Sequence, residues 1–430
     1  MNFIKKMSPG WLLVGGFATV ILIGSILLML PIARHPGITV SPVDALFTST
    51  SAVCVTGLIV VDTADTFTLF GRIVVAVLIQ IGGLGVSSAA VGFVLLAHRR
   101  LGLKGRLMVK EALNLTSFRG VVILVRAILL MTLCFEVVGA GLNYISFSQH
   151  YPPLRALEIS LFHSVAAFNN SGFDILGGLT NLIPFQRDVL LNLTTCWLIF
   201  FGGIGFLAVI DMLRKRRFKA LTLHTKVVIV TSLSLIVIGT LLLKLTENIS
   251  WLGALFHSVS ARTAGFSTYP LGKFTSAGLF TLTALMFIGA SPGSTGGGIK
   301  TSTLFTLVQA VRGVASGKAP SAFKRSIPRD VILKAFIVTL LSALVVCIGV
   351  FILCILEPEY SFMQNLFEVT SAFGTVGLST GITPDLSQPS KLLITLIMFI
   401  GRLGPLTIAS LWAYKTESGA RYSEENITIG

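Results

Sequence analysis

The sequence predicts an all-α integral membrane protein. It would be built from four pseudo-symmetric helix–pore-hairpin–helix repeats around a central pore, with eight transmembrane helices and four re-entrant pore helices. Three observations lead there. The chain is 53% hydrophobic and only 12% charged over 430 residues, where a soluble domain carries about 25% charge. One short pattern occurs four times. Basic residues gather in alternate connectors.

The apolar runs come first. Trp11 to Leu30, Ile73 to Ala97, Val189 to Ile210, Phe274 to Ile299 and Ala335 to Leu356 contain no charged residue. A bilayer span takes roughly 20 such residues. With a mean hydropathy of +0.86, the chain has no room for a separate soluble catalytic domain, and an enzyme is not expected. Lys5 and Lys6 precede the first run. That run is too long for a signal peptide's apolar region and reads as a retained first helix.

The pattern starts with Leu46-Phe47 and ends at Gly57-Leu58. It returns as Leu161-Phe162 to Gly172-Phe173, Leu255-Phe256 to Gly265-Phe266, and Leu366-Phe367 to Gly377-Leu378. Each copy is a half-apolar stretch ending in a polar loop and a glycine, and fixed internal repeats of this kind define the architecture. An apolar run precedes and follows each copy. The leading helices are expected at 10–31, 120–146, 227–246 and 332–356, and the trailing ones at 70–97, 189–213, 275–312 and 391–414. Repeat boundaries fall at 1–98, 99–213, 214–315 and 316–430, the last with a C-terminal tail.

Between repeats lie the basic connectors, Arg99 to Arg119, Arg214 to Lys226 and Arg312 to Lys334. The acids Asp44, Asp62, Asp65, Asp174, Asp188, Glu357, Glu359 and Asp385 fall in the segments between them. The positive-inside rule puts these connectors and both termini in the cytoplasm of a plasma-membrane protein. All four repeats then run parallel, related by an axis along the membrane normal. The basic clusters suit membrane lipid or a cytoplasmic partner. They lie beside spans and lack interleaved aromatics, so nucleic acid is not expected. Cys54, Cys134, Cys196, Cys347 and Cys354 lie in apolar segments without Cys-x-x-Cys spacing, and read as core residues.

Within each copy the first arm reads as a short helix. Ser41-Pro42-Val43-Asp44 supplies an N-cap, a proline at the first position and an acid in the first turn. Pro152-Pro153, Ser250 and Ser361 open the others. About 12 residues make roughly 18 Å of helix, too short to span, so the chain turns back. Irregular backbone at membrane depth survives only inside protein or beside water. The four loops therefore belong at one water-filled axis.

Such loops can replace a cation's hydration shell with backbone oxygens. Lining up successive carbonyls demands unusual dihedrals, which glycine adopts most readily. Gly57, Gly172, Gly265 and Gly377 stand where this demand falls. Val55-Thr56, Asn170-Ser171, Thr263-Ala264 and Thr375-Val376 lend further carbonyls. The short helices would aim their negative C-terminal ends at the axis.

With these residues in view, nearly the whole chain resembles the membrane subunit of the Trk/Ktr/HKT superfamily of potassium transporters. Its size, and a start at the first repeat, resemble the bacterial Ktr (KtrB-like) type most. The resemblance implies uptake of K+ through a channel-like pore, with the four glycines as selectivity filter. It also implies a homodimer, a cytoplasmic RCK-type nucleotide-binding regulatory subunit and Na+ as a candidate activator, with no organic cofactor in this chain. Sodium-selective plant relatives put serine in the first loop, where this chain has Gly57. A less selective K+/Na+ transporter, or an ion-coupled symporter, is the alternative. Coupled folds usually show inverted repeats, whereas these run parallel.

The third trailing helix carries the other informative segment, residues 289–303. Gly289, Ser291, Pro292, Gly293, Ser294, Thr295, Gly296, Gly297, Gly298 and Lys300 fall here, and five glycines and a proline cannot continue a helix. Apolar sequence flanks them, so the break lies within the membrane. Ile299 separates Gly298 from Lys300 and no strand precedes, which removes the likeness to a phosphate-binding loop. The segment reads as a flap below the filter, matching the family's intramembrane gating loop. Arg402, charged within a span, is a functional candidate by default. It could pair with Glu368, steady the flap or set a barrier to cations. Arg262 reads as a brace behind the third loop. Glu136 reads as structural, and His163 and His257 as hydrogen-bonded packing behind the filter. Gly82, Gly83 and Gly85, with Gly202, Gly203 and Gly205, read as close helix packing. Gly401 and Gly404-Pro405 make a looser version.

Overall fold

A computed structural model describes residues 9–86, 88, 89, 121–405 and 407. The first basic connector, the repeat boundary at 98/99, the far ends of the first and fourth trailing helices, and both termini lie outside the described residues. In chain order the helices are α1 (Pro9–Met29), α2 (Pro42–Val53), α3 (Thr63–Thr66), α4 (Leu69–Leu84), α5 (Val121–Phe147), α6 (Pro153–Phe168), α7 (Val189–Gly203), α8 (Phe206–Lys215), α9 (Leu223–Thr246), α10 (Trp251–Ser260), α11 (Ser276–Phe287), α12 (Thr301–Ser316), α13 (Arg329–Leu356), α14 (Phe362–Gly374) and α15 (Gln388–Leu403). The sole described strands, Ser321–Ala322 and Arg325–Ser326, pair antiparallel in the third basic connector.

Among the described residues, α1, α5, α9 and α13 are each long and apolar enough to cross a membrane, and the bent pair α7–α8 makes a fifth candidate. Their outward faces carry large exposed apolar side chains, such as Leu22 and Ile26, Leu130 and Leu133, Ile238 and Leu241, and Leu344 and Phe351. Apolar surface of this extent on one molecule is what a lipid solvent tolerates.

The short helices α2, α6, α10 and α14 run 12, 16, 10 and 13 residues. Local chemistry starts them. Ser41 Oγ accepts from Asp44 N at 3.1 Å, Ser250 Oγ accepts from Gly253 N at 3.0 Å, and Ser361 forms a capping box with Gln364. The second has Pro153 at its first position and no side-chain cap.

Packing puts these helices inside. Each lies against the long helix before it (α1, α5, α9, α13) and the helix after it (α4, α7, α11, α15). Each trailing helix also touches the next short helix: α4 meets α6, α7 meets α10, α11 meets α14, and α15 returns to α2. The contacts therefore close a cycle. Charged pairs tie two seams of it, Arg72 to Glu158 at 2.9 Å and Lys391 to Asp44 at 3.0 Å.

Small residues permit this closeness. A methyl group at Gly139 of α5 would lie 2.5 Å from Ser164 Oγ and 2.8 Å from Leu198 Cδ1. Gly24 and Gly239 meet Ser49 and Ser258 in the same way. Those serines also donate to the long helices, Ser49 to Ile21 O at 2.7 Å, Ser164 to Glu136 O at 2.6 Å and Ser258 to Ile236 O at 2.8 Å. In the fourth set Val369 packs on Gly349 instead.

The expectation of unbroken trailing helices over 70–97, 189–213 and 391–414 is overturned. The trailing stretch 189–213 is not one helix but two, α7 and α8, bent by 98° at Ile204-Gly205. The helices α4 and α15 also stop at a glycine, Gly85 and Gly404, with φ of +80° and +86°, and Gly205 stands at +99°. The glycine triplets thus do more than pack. Gly82, Gly202 and Gly401 lie directly against the carbonyls of Val53, Phe168 and Phe373 at the ends of the short helices. Three residues later the chain turns away. The third trailing stretch breaks between Phe287 and Thr301, where its glycines and proline fall.

Candidate functional site

The four loops after the short helices meet. A methyl group at Gly57 would lie 2.9 Å from Gly172 Cα, one at Gly172 3.0 Å from Gly265 Cα, one at Gly265 3.1 Å from Gly377 Cα, and one at Gly377 2.8 Å from Gly57 Cα. Those contacts make a closed ring with room for no side chain. The space beside each glycine is taken by the carbonyl before the next one: Ser171 O beside Gly57, Ala264 O beside Gly172, Val376 O beside Gly265 and Thr56 O beside Gly377.

The backbone is held in an alternating form. The glycines have φ of +93°, +69°, +79° and +95° in chain order. Two residues earlier, Val55, Asn170, Thr263 and Thr375 are also left-handed, at +56°, +58°, +79° and +49°. Positive φ in a β-branched residue is a true outlier, held only where the surroundings over-determine it. Here they do. Ser51 Oγ accepts from Gly57 N at 3.0 Å and donates to Leu58 O at 2.7 Å. Ser371 Oγ accepts from Gly377 N at 3.0 Å, and Ser260 Oγ donates to Phe266 O at 2.5 Å. Thr56 N, Ser171 N and Val376 N bond back to the short helices.

The consequence lies in the carbonyls. Val55, Thr56, Asn170, Ser171, Thr263, Ala264, Thr375 and Val376 are all 0% exposed. Among the described residues, none of their eight carbonyls accepts a hydrogen bond. Buried backbone groups are almost always paired, and these oxygens are left free to accept from a donor or a cation.

Cavities of about 410 Å³ lie beyond the ring and beyond the broken segment. The first is lined by Gly57, Gly265, Gly377, Ser267, Ser379 and Lys273. The second is lined by Gly83, Phe206, Ser294, Lys300, Ser302 and Arg402. Residues 289–300 stand between them. Gly297 N donates to Thr375 Oγ1 at 2.9 Å, and Gly296 lies against Thr263 Oγ1. Ile288 and Ile299 pair as a parallel bridge, so the segment leaves and returns at one level. Ser291 N and Thr295 N donate to Gly203 O and Gly202 O, and Gly293 O accepts from Phe206 N. Ser291 Oγ lies 2.9 Å from Thr301 Oγ1, and Ser294 Oγ donates to Ser291 O at 2.6 Å. Lys300 Nζ caps Gly296 O and Gly297 O at 2.7 and 3.2 Å. Gly293 and Gly298 take φ of +69° and +66°, Pro292 O lies beside Gly205, and the methylene of Gly289 is packed on Gly297.

Arg402 reaches this segment from α15. It donates to Thr295 O and to Gly82 O of α4. It does not pair with Glu368, whose carboxylate takes Ser379 Oγ at 2.5 Å, Thr380 N at 3.0 Å and Thr383 Oγ1 at 2.8 Å. Arg262 is 7% exposed, and among the described residues its Nε has no hydrogen-bond partner. His163 Nε2 lies 2.8 Å from Thr195 Oγ1, and His257 lies between Gly253 O and Ser267 Oγ. Glu136 accepts from Asn169 Nδ2 at 3.1 Å. None of the three lines the ring cavities.

Residues 14–423 match the TrkH family of cation transport proteins. The chain belongs to that family. It is a KtrB-like member of the Trk/Ktr superfamily: it is 40% identical to Ktr system potassium uptake protein B of Bacillus subtilis, over 99% of this chain and 97% of that one. It is 36% identical to the potassium/sodium uptake protein NtpJ of Enterococcus hirae, over 99% and 98%. Among solved structures, the potassium transporter TrkH from Vibrio parahaemolyticus aligns with a TM-score of 0.71 over 93% of this chain and 85% of its own. At 20% identity that likeness speaks to the fold alone.

The sequence did not single out the left-handed positions or the bracing serines of this TrkH-family chain as such. The serines were findable. Aligning the four copies puts Ser49, Ser164 and Ser258 in one column and Ser51, Ser260 and Ser371 in another.

Proposed function

We propose that this protein takes up K+ across the cell membrane through a channel-like pore. The filter is the ring of Gly57, Gly172, Gly265 and Gly377, and residues 289–303 with Arg402 form the gate. The pore is surrounded by four parallel helix–hairpin–helix repeats with eight spans and four re-entrant helices, the termini being cytoplasmic. The observation that carries this reading is the set of eight buried, unpaired carbonyls. A dehydrated monovalent cation satisfies them, and they replace the water it gives up.

The chemistry needs no enzyme and no organic cofactor. The short helices end on the ring, and their C-terminal partial charges add to the carbonyl field. The segment at Gly296 and Gly297 obstructs the path on one side. Lys300 and Arg402 add positive charge there, a barrier to cations while the obstruction stays. The names of the B. subtilis and E. hirae relatives support K+ as cargo. The latter also names sodium, which favours a less selective K+/Na+ pore as the second reading. The naming of a Ktr system supports a multi-component assembly. We assign the partners as a second copy, a cytoplasmic RCK-type nucleotide-binding subunit and membrane lipid, with Na+ as a candidate activator.

The test is flux in liposomes containing the purified protein, with K+ and Na+ compared at equal gradients. K+ flux above Na+ flux is expected, and deleting Ser294–Gly298 should raise it. No cation flux in either form would sink the proposal.

A further inference from the structure

The segment of the proposed gate touches two filter loops, at the hydroxyls of Thr375 and Thr263. Thr375 is fully buried and ends α14 in a left-handed conformation, φ 49° and ψ 54°. Its Oγ1 accepts the Gly297 N–H at 2.9 Å. The fit has no slack, since a methyl group at Gly297 would lie 2.5 Å from Thr375 Oγ1 and 2.8 Å from its Cγ2. On the neighbouring loop Gly296 lies against Thr263 Oγ1, and Thr263 Oγ1 is 3.1 Å from the Asn170 amide. With its oxygen toward that hydroxyl, Asn170 also donates to Ile199 O and Ala167 O, both at 3.2 Å. Val55, at the fourth equivalent position, has no hydroxyl to offer.

We propose that Thr375 is a positioning residue that latches the loop to the fourth filter strand and makes selectivity depend on whether the loop is seated. The inference rests on the gate reading above. A strained left-handed residue persists while its surroundings hold it. Withdrawal of Gly297 removes one of those restraints from the residue two before Gly377. The filter strand relaxes when the loop leaves, and the carbonyls of Thr375 and Val376 shift with it.

The experiment compares Thr375→Val, Thr375→Ser and the Ser294–Gly298 deletion in liposomes, reading K+ flux and the K+/Na+ permeability ratio. Valine keeps the branch and shape but leaves the buried Gly297 N–H unpaired. Basal K+ flux should rise about tenfold, the equivalent of ~1.4 kcal/mol, and the permeability ratio should fall. Serine retains the acceptor and should rescue both readouts. A residue that only packs would give a lower yield without moving the ratio. If the deletion raises flux while Thr375→Val leaves flux and ratio at the native values, the latch is wrong and the gate reading stands. If the deletion does not raise flux, the gate reading falls and takes the latch with it.

Discussion

Substituting Gly57 by serine isolates the filter from everything else in the molecule. The site has φ of +93°, and a Cβ there would lie 2.9 Å from Gly172 Cα and 3.0 Å from the Ser171 carbonyl carbon. Both obstacles are backbone of the adjacent filter strand, so no side chain can swing aside. Left-handed backbone costs an L-residue roughly 1–2 kcal/mol, and overpacking adds about 1–3 kcal/mol. The ring relieves a strain of ~2–5 kcal/mol by spreading, and Ser171 O is the first atom displaced. Selectivity is a difference of free energies, and each ~1.4 kcal/mol of it is tenfold. If a third to a half of the strain appears as weaker K+ coordination, K+/Na+ preference falls by roughly 3- to 60-fold. The assay has two parts. One is growth of a potassium-uptake-deficient strain at low K+ with added Na+, and the other is the K+/Na+ flux ratio of purified protein. A native flux ratio in Gly57→Ser, at native expression, would refute the assignment of this ring as filter.

Other perturbations test the surroundings. Arg402→Gln removes the charged bonds to Thr295 O and Gly82 O; at ~1.5–3 kcal/mol per charged hydrogen bond, basal K+ flux should rise about tenfold or more, and unchanged flux would count against a steadying role. Asn in place of both His163 and His257 should preserve the flux ratio, because each imidazole is bonded to Thr195 or to Gly253 and Ser267 and neither lines the two cavities; loss of transport by a well-folded double variant would overturn this. Gly139→Val forces a side chain onto Ser164 and Leu198, so thermal stability in detergent should drop by ~1–3 kcal/mol while the flux ratio of the folded fraction holds. A stability equal to native would show that α5 can shift to make room.

What could be read from the sequence depended on how local the cause was. The short helix α2 was legible because Ser41, Pro42 and Asp44 write its start within four residues. The convergence of Gly57, Gly172, Gly265 and Gly377 was legible because repetition replaced long-range information. The bend at Gly205 was not. Glycines in a membrane helix ordinarily mean close packing, whereas here Gly205 takes φ of +99° and the carbonyls of Gly202 and Gly203 accept from Thr295 N and Ser291 N of a distant segment. The left-handed Val55, Thr263 and Thr375 were hidden for a similar reason, since β-branched residues favour extended backbone and tertiary bonding overrides that preference. The partners of Arg402 were out of reach too. Charge alone suggested Glu368, but Glu368 is satisfied by its own loop through Ser379, Thr380 and Thr383.

The departures from fourfold likeness fall where the proposed mechanism has no use for symmetry. A cage around one ion requires a donor from every side, so the glycine, the left-handed residue before it and the unpaired carbonyls recur in all four loops. An obstruction requires one side only, and among the described residues only the third trailing stretch carries a long break, at 288–300. The residues that differ at the second position before each glycine follow that obstruction. Thr375 and Thr263 face it, Asn170 backs Thr263, and the apolar Val55 has no bond to it. Arg402, on the fourth trailing helix, and Gly82, on the first, close the remaining side. A gate built this way can be altered at one loop and one arginine without substituting the ring, and under the latch any variant that unseats the loop, Arg402→Gln included, should move basal flux and the K+/Na+ ratio together.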